Sequence, residues 1–510
     1  MTPLPTDDHS TRVYRQAFFF LLIAITIFRL FYISRLDLAP DEAYYWTWSR
    51  HLQWGYYDHP PLVAFLIFLT TAVAGSGEFG VRLAWVIIGA IITVILYRLT
   101  ANIFRSERAG FLSAVLMNII LLASTGAVIV TPDGPQGLFW VLGVFGVYKA
   151  VEKENALWWY LAGMALGLGL LSKYTMVLFV PCIFLFLLSA PGSRRWLGRK
   201  EPYLALLLGI AIFIPVILWN VRHDWISFKF QLSHGLEVKR AAGWRSFGDY
   251  WAGQAGVVSP LMLLGLIWAM VKSAYEGYRR NDKNWLLLFW TSMPILIFFA
   301  YTSLRSKVEA NWPALAYFSA VAAMAGLITE SWSAWGKKKR AFAWAAAIMA
   351  FVFTSLAYLQ PIYAVVPISA KRDPTSQVYG WRKLGDKIKE ISATMDSGNQ
   401  IFLLASGHQL VAESMFYTQG RIPVFQWDAP MRVNGMTPEN APPKGSQAIF
   451  FNEEQQDLPP WTAGLFDSCQ PAGTLEVERN SAHVRTHRFW KCSGFKGIQG
   501  NFIAETAEKR

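Results

Sequence analysis

Residues 82–99 read RLAWVIIGAIITVILYRL, an apolar run that is free of charge between its two arginines. A membrane-spanning helix needs roughly 20 mostly apolar residues, with wide scatter, so this run predicts a transmembrane helix. Further runs of this kind start near residue 17 and stop near residue 359. Spans are predicted at 17–33, 82–99, 110–130, 136–150, 157–171, 175–190, 202–219, 255–272, 285–301, 312–328 and 342–359. The chain is therefore predicted to be a polytopic α-helical membrane protein with about eleven spans.

The composition supports this fold class. Of the 510 residues, 54% are hydrophobic and 16% are charged, whereas globular chains carry roughly 25% charged residues. This excludes a disordered chain and argues against an ordinary soluble enzyme. In a soluble protein a net charge of +13 would suggest a nucleic-acid partner. Here the cations are better interpreted as topology signals, and the absence of phosphate-loop motifs argues against direct use of a nucleotide sugar.

The segment 62–74 (LVAFLIFLTTAVA) decides the orientation, because it is apolar but short for a span. If it is re-entrant or interfacial, one face of the membrane receives most of the basic clusters, which is the pattern of cytoplasmic loops. If it spans the membrane, the basic clusters that follow it fall on the outer face instead. The clusters are Arg12/Arg15, Arg98/Arg105/Arg108, Lys149/Lys153, Arg194/Arg195/Arg199/Lys200, Arg279/Arg280/Lys283 and Lys337 to Arg340. We therefore expect a cytoplasmic N-terminus, with the loop 34–81 and residues 361–510 outside.

Two domains are predicted on this basis: a transmembrane domain over residues 1–360, including the outer loop 34–81, and a soluble extracytoplasmic α/β domain over 361–510. In the second, residues 399–406, 421–427, 447–451 and 483–490 resemble strands, and 376–395 resembles a helix. Cys469 and Cys492 fall in this oxidising compartment, which permits a disulfide; the sequence leaves the pairing open. Three cysteines without a Cys-x-x-Cys pair exclude a thiolate zinc site.

The outer loop 34–81 concentrates acids and aromatics. Asp41 and Glu42 follow Pro40, where an acid can cap a helix or complement its dipole. That structural interpretation is favoured for Glu42, whereas Asp41 is the better candidate for chemistry. Tyr44 and Tyr45 suit either a substrate site or the aromatic belt at the lipid headgroups.

Further charges are predicted on the same face. Asp133 lies in TPDGP, a sequence typical of a turn. The turn is either purely structural or also presents the Asp133 carboxylate to a site. Lys173 stands alone in an apolar hairpin and needs an anionic partner or water. Lys307 and Arg305 lie in an outer loop, where single cations also make headgroup contacts. Together these groups favour a lipid phosphate site, in which cations stabilise a phosphate leaving group and a carboxylate accepts a proton.

Five motifs carry a resemblance to a known family: DEAYY at 41–45, DHPP at 58–61, TPD at 131–133, LSKY at 171–174 and KVEANWP at 307–313. They resemble the C-type (GT-C) membrane glycosyltransferases, in the family 39-like bacterial branch related to protein O-mannosyltransferases and the aminoarabinose lipid A transferase. The resemblance covers about residues 14–330. It implies inverting transfer of a sugar from a polyprenyl-phosphate donor to an envelope acceptor in the inner membrane.

The resemblance also implies residue roles. Asp41 matches the catalytic carboxylate and Asp133 a second carboxylate, while Lys173 and Lys307 match contacts to the donor phosphate. Additional candidates are Arg305 and His59 for the phosphate, and Glu42, Tyr44, Tyr45, Asp58, Tyr174, Glu309 and Asn311 for the substrate site. Asp58-His59 departs from the Glu-Lys of the aminoarabinose transferase, and this departure makes the pair a candidate for binding a divalent metal instead. No other cofactor is indicated.

Several alternatives stay open at this stage. A flippase for lipid-linked sugars also uses intramembrane charges, but near the midplane and in paired halves. The acceptor is lipid A, another lipid, a glycan or a protein; the basic loop 220–254, with Lys239, Arg240 and Arg245, favours an anionic one such as lipid A. The enzyme interpretation requires Asp41, Asp133, Lys173 and Lys307 to converge on one outward-facing pocket.

Overall fold

The computed structural model describes residues 8–236, 243–396, 398–427, 442–453, 457–480 and 482–497. Helices dominate to residue 363, and all strands lie beyond it within the described ranges. The helices are α1 (Asp8–Tyr32), α2 (Pro40–Arg50), α3 (Leu62–Ala74), α4 (Glu78–Phe104), α5 (Glu107–Ile119), α6 (Leu121–Thr125), α7 (Asp133–Lys153), α8 (Leu157–Leu170), α9 (Phe179–Ser189), α10 (Glu201–Arg222), α11 (Ile226–Leu236), α12 (Trp244–Val258), α13 (Pro260–Arg280), α14 (Lys283–Trp290), α15 (Met293–Ser303), α16 (Ala314–Ser331), α17 (Lys337–Tyr363), α18 (Trp381–Ala393), α19 (His408–Tyr417) and α20 (Thr462–Leu465). The strands are β1 (Ile401–Ala405), β2 (Val424–Gln426), β3 (Gln447–Glu453), β4 (Ser468–Arg479) and β5 (Ala482–Ser493).

The helical part confirms a polytopic membrane protein. Among the described residues, six helices are long and apolar enough to cross a membrane, or up to seven if a bent pair counts as one span. Each predicted span overlaps at least one helix, and the ambiguous segment 62–74 is the separate short helix α3. The count of eleven, the cytoplasmic N-terminus and the extracytoplasmic position of the tail stay predictions.

Three predicted spans are wrong as continuous helices, and one of them, 285–301, is divided between α14 and α15. The span 110–130 is interrupted at Ile120, whose extended backbone separates α5 from α6. The span 255–272 is broken at Ser259, which has φ +79°, and α12 and α13 meet there at 102°. Pro260 explains the break at Ser259, because a proline disfavours helical geometry at the residue before it and is suited to the first position of a new helix.

The chain forms two compact units, and the first comprises the described residues within 1–31, 58–63 and 84–355. Its core is centred on the alanine-rich helix α16, most of which is buried. Helices α8 and α10 approach closely because small residues face each other. A Cβ added to Gly163 would lie 2.2 Å from the carbonyl oxygen of Ala205, so the glycine is needed for this contact.

The second unit comprises the described residues within 32–57, 64–83 and 356–510. Its five-stranded sheet has the order β2-β1-β3-β5-β4, with β1 parallel to both β2 and β3 and with β5 antiparallel to both β3 and β4. Residues 361–510 contribute this sheet and helices α18 to α20, and each of the four predicted strands overlaps an observed strand.

Three details of the tail go beyond the predictions. Strand β4 was missed because it is an edge strand whose side chains are mostly exposed, so it lacks an apolar run. The predicted helix 376–395 starts later, as α18 after a 3₁₀ turn at Pro374–Val378. Cys469 and Cys492 are register partners on β4 and β5 and form a disulfide.

Candidate active site

The neighbouring acids Asp41 and Glu42 occupy opposite environments in the first turn of α2. The Glu42 carboxylate is fully buried, where it accepts a hydrogen bond from the backbone N–H of Ala39 at 2.8 Å and one from Arg82 Nε at 2.8 Å. Asp41 is exposed. Glu42 therefore fixes the start of the helix, and Asp41 is the acid that solvent or a substrate can reach.

Arg82 is buried and holds this segment in place, although it was not among the site residues predicted from the sequence. Besides Glu42, its guanidinium donates to the carbonyl oxygens of Ile33 and Leu36 at 2.9 Å and of Asp37 at 2.7 Å. The available signal was an arginine at the outer end of a predicted span, where the positive-inside rule does not place one.

Helix α19 of the second unit supplies the direct partner of Asp41. Gln409 Nε2 donates to Asp41 Oδ1 at 3.1 Å. The next residue back, His408, packs edge-to-face on Tyr44 with ring centroids 4.9 Å apart. Tyr45 packs on Trp48 at 4.8 Å. The predicted aromatic cluster is thus largely buried packing around α2, and α19 itself was not predicted.

A second set of contacts joins the segments around α2 to α18 and α19. Asp37 accepts from the backbone N–H of Trp381 at 2.8 Å, and Arg382 Nε donates to Glu78 at 2.7 Å. The hydroxyl of Tyr417 also donates to Glu78, at 3.3 Å. Burial raises the pKa of Asp37, although Arg382 opposes the shift, and burial raises the pKa of Tyr417. These contacts hold the segments around α2 on α18 and α19.

In the first unit the structure brings together Asp133, Lys173 and Asn311. Lys173 Nζ lies 2.7 Å from Asp133 Oδ1, and Asn311 Nδ2 donates to Asp133 Oδ2 at 2.9 Å. The Lys173 and Asp133 side chains are only 9% and 17% exposed. Asp133 is therefore the anionic partner that the isolated lysine was predicted to need.

Local structure fixes this pair. Asp133 is the first residue of α7, where a carboxylate complements the helix dipole. A Cβ on Gly134 would lie 2.6 Å from Trp85 Cδ1, so a glycine is needed for Trp85 to pack there and donate to the carbonyl of Thr131 at 2.9 Å. Ser172 donates to the carbonyl of Pro132 at 2.6 Å, which ties the two turns together.

The other predicted phosphate ligands lie at the surface of their unit. Lys307 is 77% exposed and pairs with Glu309 at 2.8 Å. Arg305 is exposed, with its guanidinium 5.9 Å from the ring centroid of Tyr301. Pairs as exposed as Lys307–Glu309 contribute little to stability, so Lys307 is available to a ligand.

The remaining candidates are more enclosed. The hydroxyls of Tyr174 and Ser227 are 2.8 Å apart. Asp58 is buried, its carbonyl accepts from Gln231 Nε2 at 2.5 Å, and His59 is half-buried. Within the described ranges, no three His, Cys, Asp or Glu side chains are grouped so that they could hold a metal ion. The metal role of Asp58 and His59 stays a prediction.

A cavity of about 280 Å³ lies beside Asp133 and Asn311 in the first unit. Its wall is mainly apolar, with Ile88 and Phe318 among its lining residues. Arg29 also lines it; its Nη2 donates to Asn118 at 2.9 Å and to Ser124 at 3.2 Å. Such a cavity can take an apolar group next to a charged one.

The predicted residues are therefore divided between the units. The second unit contains Asp41, Glu42, Tyr44 and Tyr45, and the first unit contains the remaining candidates. Within the first unit, Asp133 contacts both Lys173 and Asn311. Lys307 pairs separately with Glu309. The convergence of Asp41 with the Lys173 cluster stays a prediction.

Comparison with solved structures shows a shared fold. The fold is similar to that of ArnT from Cupriavidus metallidurans bound to undecaprenyl phosphate, with a TM-score of 0.64 and 14% identity over 93% of this chain and 98% of that one. It is also similar to the oligosaccharyltransferase of Archaeoglobus fulgidus, with a TM-score of 0.50 and 12% identity over 78% of this chain and 64% of that one. The chain therefore shares the fold of these two proteins.

Sequence comparisons agree. The family described as dolichyl-phosphate-mannose-protein mannosyltransferase matches residues 58–219. The lipid A galacturonosyltransferase RgtD of Rhizobium johnstonii is 25% identical over 61% of this chain and 64% of its own length. The undecaprenyl phosphate-alpha-4-amino-4-deoxy-L-arabinose arabinosyl transferase of Pseudomonas aeruginosa is 27% identical over 56% and 55%. The chain is thus similar in sequence to these glycosyltransferases, and it spans between half and two thirds of these relatives' lengths.

Proposed function

We propose that the protein transfers a sugar from a polyprenyl-phosphate donor to lipid A, or to another envelope lipid or glycan, at the outer face of the inner membrane. The observation that carries the proposal is the contrast in α2, where Glu42 is buried in an ion pair and Asp41 is exposed on the same rigid turn. An exposed carboxylate on a fixed helix suits a general base. The names of RgtD and of the aminoarabinose transferase support the donor and acceptor classes.

The reaction is a single displacement at the anomeric carbon. The acceptor hydroxyl oxygen forms the new bond to C1 as the bond between C1 and the phosphate oxygen breaks, which inverts the configuration. Asp41 takes the hydroxyl proton, and the polyprenyl phosphate leaves with the bonding electron pair. If the acceptor is itself an ionised phosphate, no proton needs to move and Asp41 orients the acceptor.

Cations stabilise the charge that develops on the leaving phosphate. We assign this role to Lys307, which is exposed, and to Lys173, whose amine is held in place by Asp133. Both oxygens of Asp133 are occupied by hydrogen bonds, so its proposed role is to position Lys173. The cavity beside Asp133 offers an apolar surface to a lipid chain. Asp58 and His59 are the proposed ligands of any divalent metal, a role tested by assays with and without a chelator.

The decisive experiment compares the wild type with Asp41→Asn in lipid nanodiscs. Polyprenyl-phosphate galacturonate and polyprenyl-phosphate aminoarabinose serve as donors, and lipid A as acceptor. We expect transfer to fall by about 10²–10⁴-fold, the usual contribution of a general base, with donor binding retained. Transfer at the wild-type rate would remove Asp41 from the mechanism.

Two further arms separate the other candidates. In sealed vesicles, donor movement across the bilayer without any glycosylated product would support a flippase instead. If mass spectrometry finds a glycosylated envelope protein and unmodified lipid A, the acceptor is a protein. Lys307→Ala is expected to raise the KM for the donor, because it removes an exposed phosphate contact, and to leave the thermal stability unchanged.

A further inference from the structure

The sheet of the second unit has a strand order of the kind that creates a switch point in open α/β proteins. Strand β1 lies between β2 and β3 and is parallel to both, so the strand order reverses around it. In open α/β sheets, ligands bind beyond the carboxyl end of a strand at such a point. The chain leaves β1 there and turns at Gly407, whose φ of +73° favours glycine, into α19.

In this protein that edge contacts the polypeptide of α2. Gln409, in the first turn of α19, donates to Asp41, and His408 packs on Tyr44. Farther along α19, Phe416 packs edge-to-face on Trp46 with ring centroids 5.2 Å apart. The position where a related sheet would orient a small ligand is used here to hold the first turn of α2.

The hydrogen bond from Gln409 has a specific consequence for Asp41. Among the described residues, Gln409 is the group that donates to this carboxylate, and it does so at Oδ1. Asp41 is exposed, so its side chain would otherwise sample several rotamers. A hydrogen bond that holds Oδ1 restricts the choice of rotamer and leaves Oδ2 for another partner.

We propose that Gln409 is a positioning residue of the transferase: through its bond to Oδ1 it orients Oδ2 of Asp41 as the base, so that the C-terminal sheet domain completes the catalytic centre. The inference rests on the proposed function. It gives α19 a role in turnover beyond attachment of the domain. A misoriented base slows the chemical step, whereas binding of the donor does not depend on it.

The test uses the full-length protein in nanodiscs, with Gln409→Ala, Gln409→Asn and the control Gln419→Ala. Gln419 also lies beside α19 and donates to backbone carbonyls of Phe416 and Ser76, but it does not bond Asp41. We expect Gln409→Ala to lower kcat by about 10–100-fold with the donor KM within twofold of the wild type. Gln409→Asn, which keeps the amide on a shorter stem, should recover part of kcat, and Gln419→Ala should match the wild type.

A double-mutant cycle separates positioning from stability. If Gln409 acts through Asp41, adding Gln409→Ala to Asp41→Asn will not lower the residual rate further. Wild-type kcat in Gln409→Ala, or equal losses in Gln409→Ala and Gln419→Ala that follow a lower melting temperature, would overturn the inference. Either result would leave the proposed function intact. Wild-type activity of the Asp41→Asn variant, in contrast, would overturn the proposed function itself.

Discussion

Arg82 and Glu42 form an ion pair in which neither side chain retains any solvent-exposed surface. The two residues are 40 positions apart, and the guanidinium of Arg82 also binds the backbone carbonyls that precede α2. The orientation of Asp41, one residue before Glu42, therefore depends on an arginine at the start of a long apolar helix.

This pair predicts opposite phenotypes for two adjacent acids. Glu42→Gln leaves Arg82 buried without its counter-charge, and removing one partner of a buried pair costs about 3–5 kcal/mol. We expect a lower melting temperature and a lower folded yield in nanodiscs. Asp41→Asn, at an exposed position, is the matched control and should keep the wild-type melting temperature within error. Equal stability of the two variants would contradict the structural role of Glu42.

The Lys173–Asp133 pair makes a second prediction. Asp133→Asn removes the negative charge but keeps the shape, so the nearly buried Lys173 loses its partner and stability falls. Adding Lys173→Gln to this variant removes the unpaired charge and should restore part of the melting temperature. Transfer activity should stay low in both, because the amine is absent or misplaced. Recovery of activity in the double variant would show that Lys173 does not contact the donor.

The buried His487 on β5 predicts an acid-sensitive sheet domain. Burial, with a contribution from Arg485, lowers the pKa of His487 from 6.5 to about 3. Between these values the unfolded chain binds the proton and the folded domain does not, so this group makes stability fall as the pH drops below about 6.5. The maximum slope is about 1.4 kcal/mol per pH unit.

Chemical denaturation between pH 4 and pH 8 measures this slope. His487→Phe should flatten the pH dependence, because it removes the titrating group. His483→Gln is the control, since His483 lies four residues earlier on the same strand and is exposed. An unchanged slope in His487→Phe, or a slope flattened equally by His483→Gln, would contradict the assignment.

The disulfide between Cys469 and Cys492 predicts a measurable loss of stability when it is reduced. It closes a loop with a sequence separation of 23, for which the chain-entropy account gives about 3 kcal/mol. The paired Cys469→Ser and Cys492→Ser variant should unfold at a lower denaturant concentration than the wild type, with the same loss in the wild type after reduction. Cys182→Ala, a change at the buried free cysteine, is the control: it keeps the disulfide and should lose the same stability on reduction as the wild type.

The predictability of the site differs from group to group. Lys173 was identified because a lone cation in an apolar hairpin needs a partner, and Asp133 because it stands in a turn at a predicted membrane surface. Both signals are local in sequence. The 2.7 Å contact between them joins residues 40 positions apart. It could not be predicted from the sequence, because it depends on how α7 and α8 pack. Gln409 carried no signal at all, since an isolated glutamine in a helix is most often a surface residue.

Sequence by itself determined the membrane class and the strands of the tail, and it singled out the acid at position 41 as a candidate, because hydrophobic periodicity and short motifs are properties of neighbouring residues. Tertiary structure alone decided that Glu42 is buried against Arg82, that α12 and α13 meet at a sharp bend, and that Gln409 bonds Asp41. These facts depend on contacts between distant segments and on the solvent that packing excludes, which local patterns do not encode.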